Sequence, residues 1–167
     1  MFLKKIVFRE IRLALKEPFR ISSGVVSERR ICLLELIDSD GVISWSECVA
    51  GEQPNYSPET IDTAWFAIVN WLAQRVLRRE IEHPRVAYPW LHQDVRGHQM
   101  AKASIEMGLW ALEATRRSIS LAKLLGGTQT RVPVGVSLGI QNAPDALVER
   151  ATRAAAQGYR KIKLKIQ

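Results

Sequence analysis

Two cysteines and three histidines in 167 residues leave little material for thiol or metal chemistry. Cys32 and Cys48 sit in apolar, strand-like settings with no CxxC pair and no histidine at ligand spacing, so they read as buried, reduced packing residues. His83, His92 and His98 flank one connector without metal-ligand spacing and are expected as surface or capping residues. No apolar run approaches the roughly 18 residues that a membrane span needs. The opening MFLKKIVFREIRL lacks the apolar core and small-residue cleavage site of a secretory signal. The expectation is a cytoplasmic protein with no membrane partner.

The formal charge of +7 is unevenly placed. Residues 131–167 hold seven basic groups (Arg131, Arg150, Arg153, Arg160, Lys161, Lys163, Lys165) and two acidic ones (Asp145, Glu149), which is +5 of that total. The basic tail holds a single aromatic, Tyr159, and no interleaved series of them, so no nucleic-acid partner is expected.

Residues 2–15 mix alternation with apolar pairs and predict a first strand. RRICLLELI at 29–37 predicts a second; DSDG at 38–41 is turn chemistry leading into VISWSECV, a third. The intervening EPFRISSGVVSE, polar and containing Gly24, is expected as a loop. Ser57, Pro58 and Glu59 look like an N-cap, a first-turn proline and a first-turn carboxylate. From there Ile61, Ala64, Trp65, Ile68, Val69, Leu72 and Val76 recur at helical spacing to about residue 78. Residues 79–98 read as a connector, 99–117 as a helix buried on two sides that carries Glu106 and Glu113, and 120–127 as a short helical turn stopped by glycines.

The rhythm then changes. VPVGVSL at 132–138 predicts a strand, Pro144 to Gln157 a helix ending at Gly158, and KIKLKI at 161–166 another strand. Strand, helix, strand at this spacing is one βαβ unit with parallel strands. Parallel sheets seldom have two strands only, so further strands are expected after Gln167. Within KIKLKI, Lys161, Lys163 and Lys165 share one face and Ile162, Leu164 and Ile166 the other. That alternation fits a half-solvated edge strand and equally a lysine pair facing a cavity.

Six stretches in collinear order decide between these readings: PFRISSG (18–24), DGVISWSECVAGEQPNYSPET (40–60), MAKASIEMGLWALEA (100–114), SLAKLLGG (120–127), VPVGVSLGI (132–140) and GYRKIKLKI (158–166). Their succession resembles the enolase superfamily, in the branch containing o-succinylbenzoate synthase and N-acylamino acid racemase. The resemblance implies an α+β capping domain, a three-stranded antiparallel meander plus helices over residues 1–130. It is followed over 131–167 by the first β-α-β of an incomplete, TIM-like α/β barrel. One departure is Ala111, where many relatives place an acidic residue after the tryptophan; that carboxylate reads as structural.

The resemblance also implies roles. Lys165 would be the acid/base group that moves a proton alpha to a carboxylate, and Lys163 would support it. Two ammonium groups roughly 7 Å apart each raise the cost of charging the other, which favours a base. Ser137, near the end of the first barrel strand, would contact substrate. So would the two capping loops, around Phe19, Ser22 and Gly24 and from Ala50 to Tyr56. The substrate would be a small-molecule carboxylate and the cofactor of the full-length parent magnesium, held by three carboxylates from the third, fourth and fifth barrel strands, with a partner lysine from the sixth. No metal ligand, and no cofactor, is expected for this chain alone, because Asp145 and Glu149 fall on a helix. The chain would then be a fragment of a longer enzyme, half of a split enzyme completed by a complementing barrel chain or a homo-oligomer, or a noncatalytic capping module.

Overall fold

The computed structural model describes residues 1–22 and 24–166; Ser23, inside the predicted loop from Phe19 to Gly24, and Gln167 lie outside the described residues. The chain forms two compact units, one from Met1–Leu13 with Arg30–Thr128 and one from Ala14–Arg29 with Gln129–Gln167.

The meander is as the alternation predicts. Strands β1 (Leu3–Ile21), β2 (Gly24–Asp38) and β3 (Ile43–Cys48) form an antiparallel sheet in the order β1-β2-β3. Register runs from Cys32 opposite Cys48 to Ile37 opposite Ile43. Buried Asp38 ties the tight turn, its carboxylate accepting from the amides of Asp40 and Val42 at 2.9 Å each. The expected loop over 17–28 is instead strand over 17–21 and 24–28. Its polar residues mislead because this stretch of ribbon is largely exposed and needs no apolar face, while Phe19, Ile21, Val25 and Val26 favour extended backbone.

The next helix starts three residues later than Ser57 suggests. Thr60 is the N-cap of α1 (Ile61–Ala67) in a reciprocal box with Thr63: the Thr63 amide donates to Thr60 Oγ1 at 3.2 Å and the Thr60 amide to Thr63 Oγ1 at 2.9 Å. Ser57 Oγ instead accepts from the Glu59 amide at 3.2 Å. The single long helix is also revised. After Ala67 the coil widens into a π turn at Ile68–Leu72 and tightens into a 3₁₀ turn at Ala73–Arg75. The change of pitch keeps Ile68, Leu72, Ala73 and Val76 inward and turns Val69 out to solvent.

The connector holds a 3₁₀ turn at Pro84–Val86 and a helix, α2 (Ala87–His92), that its prolines concealed. Helix α3 (Gln99–Arg116) then lies on the sheet. Gly108 permits the approach, since a Cβ there would meet Leu36 Cδ1 at 2.6 Å. Two serines of β3 fix the seat, Ser44 Oγ donating to the Gly108 carbonyl at 2.8 Å and Ser46 Oγ to that of Ser104 at 2.6 Å. Leu34, Leu36, Ile61, Ile68, Ile105, Leu109 and Leu112 form the core between. Helix α3 is buried along Ala101, Ile105, Leu109 and Leu112, whereas Met107 is exposed. Glu113 pairs with Arg117 at 2.5 Å, and α4 (Leu121–Leu124), capped by Ser120, is the expected short turn.

In the second unit β4 (Val136–Leu138), α5 (Pro144–Ala156) and β5 (Ile162–Leu164) make the expected βαβ, with β4 and β5 parallel. Both strands are shorter than their apolar runs, and Val132, Val134, Leu164 and Ile166 are exposed. A strand forms only where a neighbour takes up its amides and carbonyls.

Candidate active site

The register of the parallel pair brings three sequence-predicted residues to one place. Ser137 lies directly opposite Lys163. The Lys165 amide donates to the Leu138 carbonyl at 3.0 Å, so Lys165 follows Lys163 along the strand direction and, two positions on, faces the same side. Ser137 and Lys163 are exposed; Lys165 is half-buried. A hydroxyl and two amines thus line the C-terminal end of a two-stranded parallel sheet, where βα barrels place their chemistry.

The rim beyond that end is made from the β1–β2 ribbon. Phe19 is half-buried in β1, Ser22 is exposed in the turn, and Gly24 opens β2 with φ +142°, a backbone state that suits glycine. Behind the strand ends, the Ile140 amide donates to the Arg20 carbonyl at 3.0 Å, and Arg20 Nη1 donates to Asn142 Oδ1 at 2.8 Å. Glu17 is ion-paired with Arg150 of α5. These partners were invisible in the sequence because they lie more than a hundred residues apart; Gly139, just past a strand, was the one available sign of a close backbone approach.

The second predicted loop belongs to the first unit. There Ala50 is 3% exposed within the core, while Tyr56 is 91% exposed.

Among the described residues no three His, Cys, Asp or Glu side chains converge. Asp145 and Glu149 both lie on α5, and Glu149 is engaged by Arg153 at 2.7 Å. A magnesium ion requires several hard oxygens in near-octahedral array, and the residues present do not fit one. The histidines serve structure: His83 Nδ1 accepts from the Arg85 amide at 3.2 Å, His92 stacks on Tyr88 at 4.1 Å, and the ring of His98 stands edge-on to Trp71 at 5.3 Å.

A three-stranded meander backed by helices, followed by a βαβ with lysines at its strand ends, defines an enolase-type capping domain joined to the start of a βα barrel. The chain belongs to the mandelate racemase / muconate lactonizing enzyme family of the enolase superfamily, whose N-terminal domain matches residues 4–126. It is 38% identical over 162 residues to the o-succinylbenzoate synthase of Geobacillus kaustophilus, covering 97% of this chain and 43% of that protein. It is 37% identical over 159 residues to an N-succinylamino acid racemase of Thermus thermophilus, covering 95% of this chain and 42% of that one. The crystal structure of an enolase-superfamily member from Listeria innocua superposes with a TM-score of 0.92 at 32% identity, covering 99% of this chain and 44% of that chain. The chain therefore spans less than half the length of the relatives it matches. No helix among the described residues is long and apolar enough to cross a membrane.

Proposed function

We propose that this chain is the N-terminal portion of a metal-dependent enzyme of the o-succinylbenzoate synthase or N-acylamino acid racemase type. Such an enzyme removes a proton alpha to a carboxylate and then dehydrates the product or reprotonates it on the other face. The observation that carries this reading is the parallel register that sets Ser137 across from Lys163 with Lys165 one step further on the same face.

In this reading the half-buried Lys165 amine takes and returns the proton. Lys163, nearer solvent on the same face, supports it. The Ser137 hydroxyl hydrogen-bonds the substrate, and Phe19, Ser22 and Gly24 wall the site. A magnesium ion of the parent enzyme would stabilise the developing negative charge, commonly the largest catalytic contribution. Its ligands are not among the residues described, so this chain by itself is proposed to bind no catalytic metal and to turn over no substrate.

The test supplies a second polypeptide carrying the acidic barrel strands, with magnesium, and follows alpha-proton exchange of a carboxylate substrate in deuterated water. Exchange should appear on mixing and vanish with Lys165→Ala; Lys163→Ala should slow it by about 10²–10⁴, the usual worth of a group acting in proton transfer. Absence of exchange at every ratio would remove the split-enzyme form of the proposal. A second reading, a noncatalytic capping module, is favoured by one observation: the main hydrophobic cluster among the described residues lies within the first unit. It calls for a partner bound tightly without any barrel strands. Another dehydratase or epimerase of the superfamily differs from the main proposal in substrate alone.

A further inference from the structure

The far end of the β1–β2 ribbon is fastened at three points within the second unit. Arg20 gives its carbonyl to the Ile140 amide at 3.0 Å and its side chain to Asn142 at 2.8 Å, while Glu17 pairs with Arg150. Between them the backbone closes tightly on Gly139, which is buried: a Cβ there would lie 3.1 Å from the Arg20 carbonyl oxygen, 3.2 Å from its nitrogen and 3.4 Å from Phe19 Cδ2. Any side chain there would push the Arg20 backbone back by a few tenths of an ångström or more, so glycine suits so close a meeting of strand and loop. Phe19 is thus lodged against the residue that follows the Ser137 strand.

We propose that Gly139, Asn142 and Arg150 are positioning residues that fasten β1 at Glu17–Arg20, so that Phe19 stands as a fixed wall of the site. What the wall faces rests on the proposed function; the fastening itself does not. The backbone bond and the Gly139 contact dominate, because exposed polar pairs such as Glu17–Arg150 contribute little each.

Amide hydrogen exchange of the whole chain, read residue by residue, tests this. The Ile140 amide should exchange at least about tenfold more slowly than in an unstructured peptide, as ordered backbone does. Gly139→Val should abolish that protection, and Asn142→Ala and Arg150→Gln should each speed exchange about threefold, the size expected for an exposed pair. In each variant the Val136 and Lys165 amides, bonded to Lys161 and Leu138 in the β4–β5 pair, should keep their rates. Their loss together with Ile140 would mean general unfolding of the unit and would overturn a positioning role. Exchanging the charges in Glu17→Arg with Arg150→Glu should restore the wild-type rate. An unprotected Ile140 in the wild-type chain, or rates unchanged in both Gly139→Val and the Asn142→Ala, Arg150→Gln double variant, would overturn the fastening. Proton exchange in the complemented enzyme reads the chemistry separately, so either idea can fail alone.

Discussion

Glu59 closes the N-terminus of a helix forty residues away: its carboxylate accepts from the Met100 amide at 2.8 and 3.0 Å and from the Ala101 amide at 3.2 Å. His98, the N-cap of α3, makes no side-chain cap bond of its own. The first amides of a helix lack internal partners and carry partial positive charge, so a buried carboxylate there both satisfies donors and meets the dipole. Glu59→Ala is expected to cost about 2–3 kcal/mol, the range for losing hydrogen bonds to a charged group. Glu59→Gln keeps an acceptor and should lose about 1 kcal/mol. Urea unfolding of both variants checks this, and equal losses would show that the negative charge contributes nothing.

Arg30 bridges two carboxylates of the first unit, donating to Glu10 at 2.8 and 2.9 Å and to Asp62 at 2.6 and 3.1 Å. These hydrogen bonds hold the carboxyl groups of Glu10 and Asp62 below their ordinary values of 4.5 and 3.8. Hydrogen bonding from Arg116 does the same for Asp40. A carboxyl lowered by folding adds stability that is fully present above its unfolded value and is lost as pH falls through its folded one. The urea midpoint should therefore hold from pH 7 to about 5 and decline below about 4.5, where carboxylates of the unfolded chain begin to take up protons. Arg30→Gln should flatten that acid limb. A variant with the wild-type slope would show that the bridge carries no linkage.

The parts of this chain that were readable in its sequence are those governed by short-range pattern. Alternation gave the three strands of the meander, and strand-helix-strand spacing gave the parallel pair with Lys163 and Lys165 on one face. What escaped depends on distant partners. Nothing near Glu59 says that its carboxylate serves α3, and Ser57-Pro58 is as good a local cap as Thr60; the choice is made by the Thr63 hydroxyl and by the pull on Glu59. The ribbon over 17–28 escaped for the opposite reason. With little apolar surface to bury it shows no period, and its strand character rests on cross-strand pairing and on Gly139, Asn142 and Arg150.

Gly108 sets a contest between two effects of opposite sign. Replacing a helical glycine by alanine gains about 1 kcal/mol of helix propensity. Here the new Cβ would stand 2.6 and 2.7 Å from the two methyls of Leu36 and 3.1 Å from Ser46 Oγ. Leu36 is fully buried, so its methyls have nowhere to retreat without moving the core. Overpacking of that kind costs about 1–3 kcal/mol and exceeds the propensity gain. Gly108→Ala should therefore lower stability by up to about 2 kcal/mol, and Gly108→Ala combined with Leu36→Ala should lose less than the sum of the single changes, since shortening Leu36 removes the clash and the new methyl fills part of the space left. Strict additivity would place the cost of the alanine elsewhere.

Cys32 and Cys48 face each other across β2 and β3 as free thiols, 1% and 2% exposed. Burial pushes the Cys32 thiol up to about 12 and raises Cys48 as well, against an ordinary value of 9.0. The thiolate is the nucleophile, and at pH 8 a group titrating near 12 is ionised only to about one part in 10⁴. Access is barred too, because the strand pair must part before a reagent can reach either sulfur. Both thiols should thus react with a disulfide reagent only through opening of the sheet. The labelling rate should rise with urea in step with unfolding, and the two cysteines should label together, since one opening event exposes both. Fast labelling of one cysteine in native buffer would show that β3 parts from β2 without unfolding the unit. The Ser44 and Ser46 bonds that seat α3 on that strand would then be weaker than their 2.8 and 2.6 Å lengths imply.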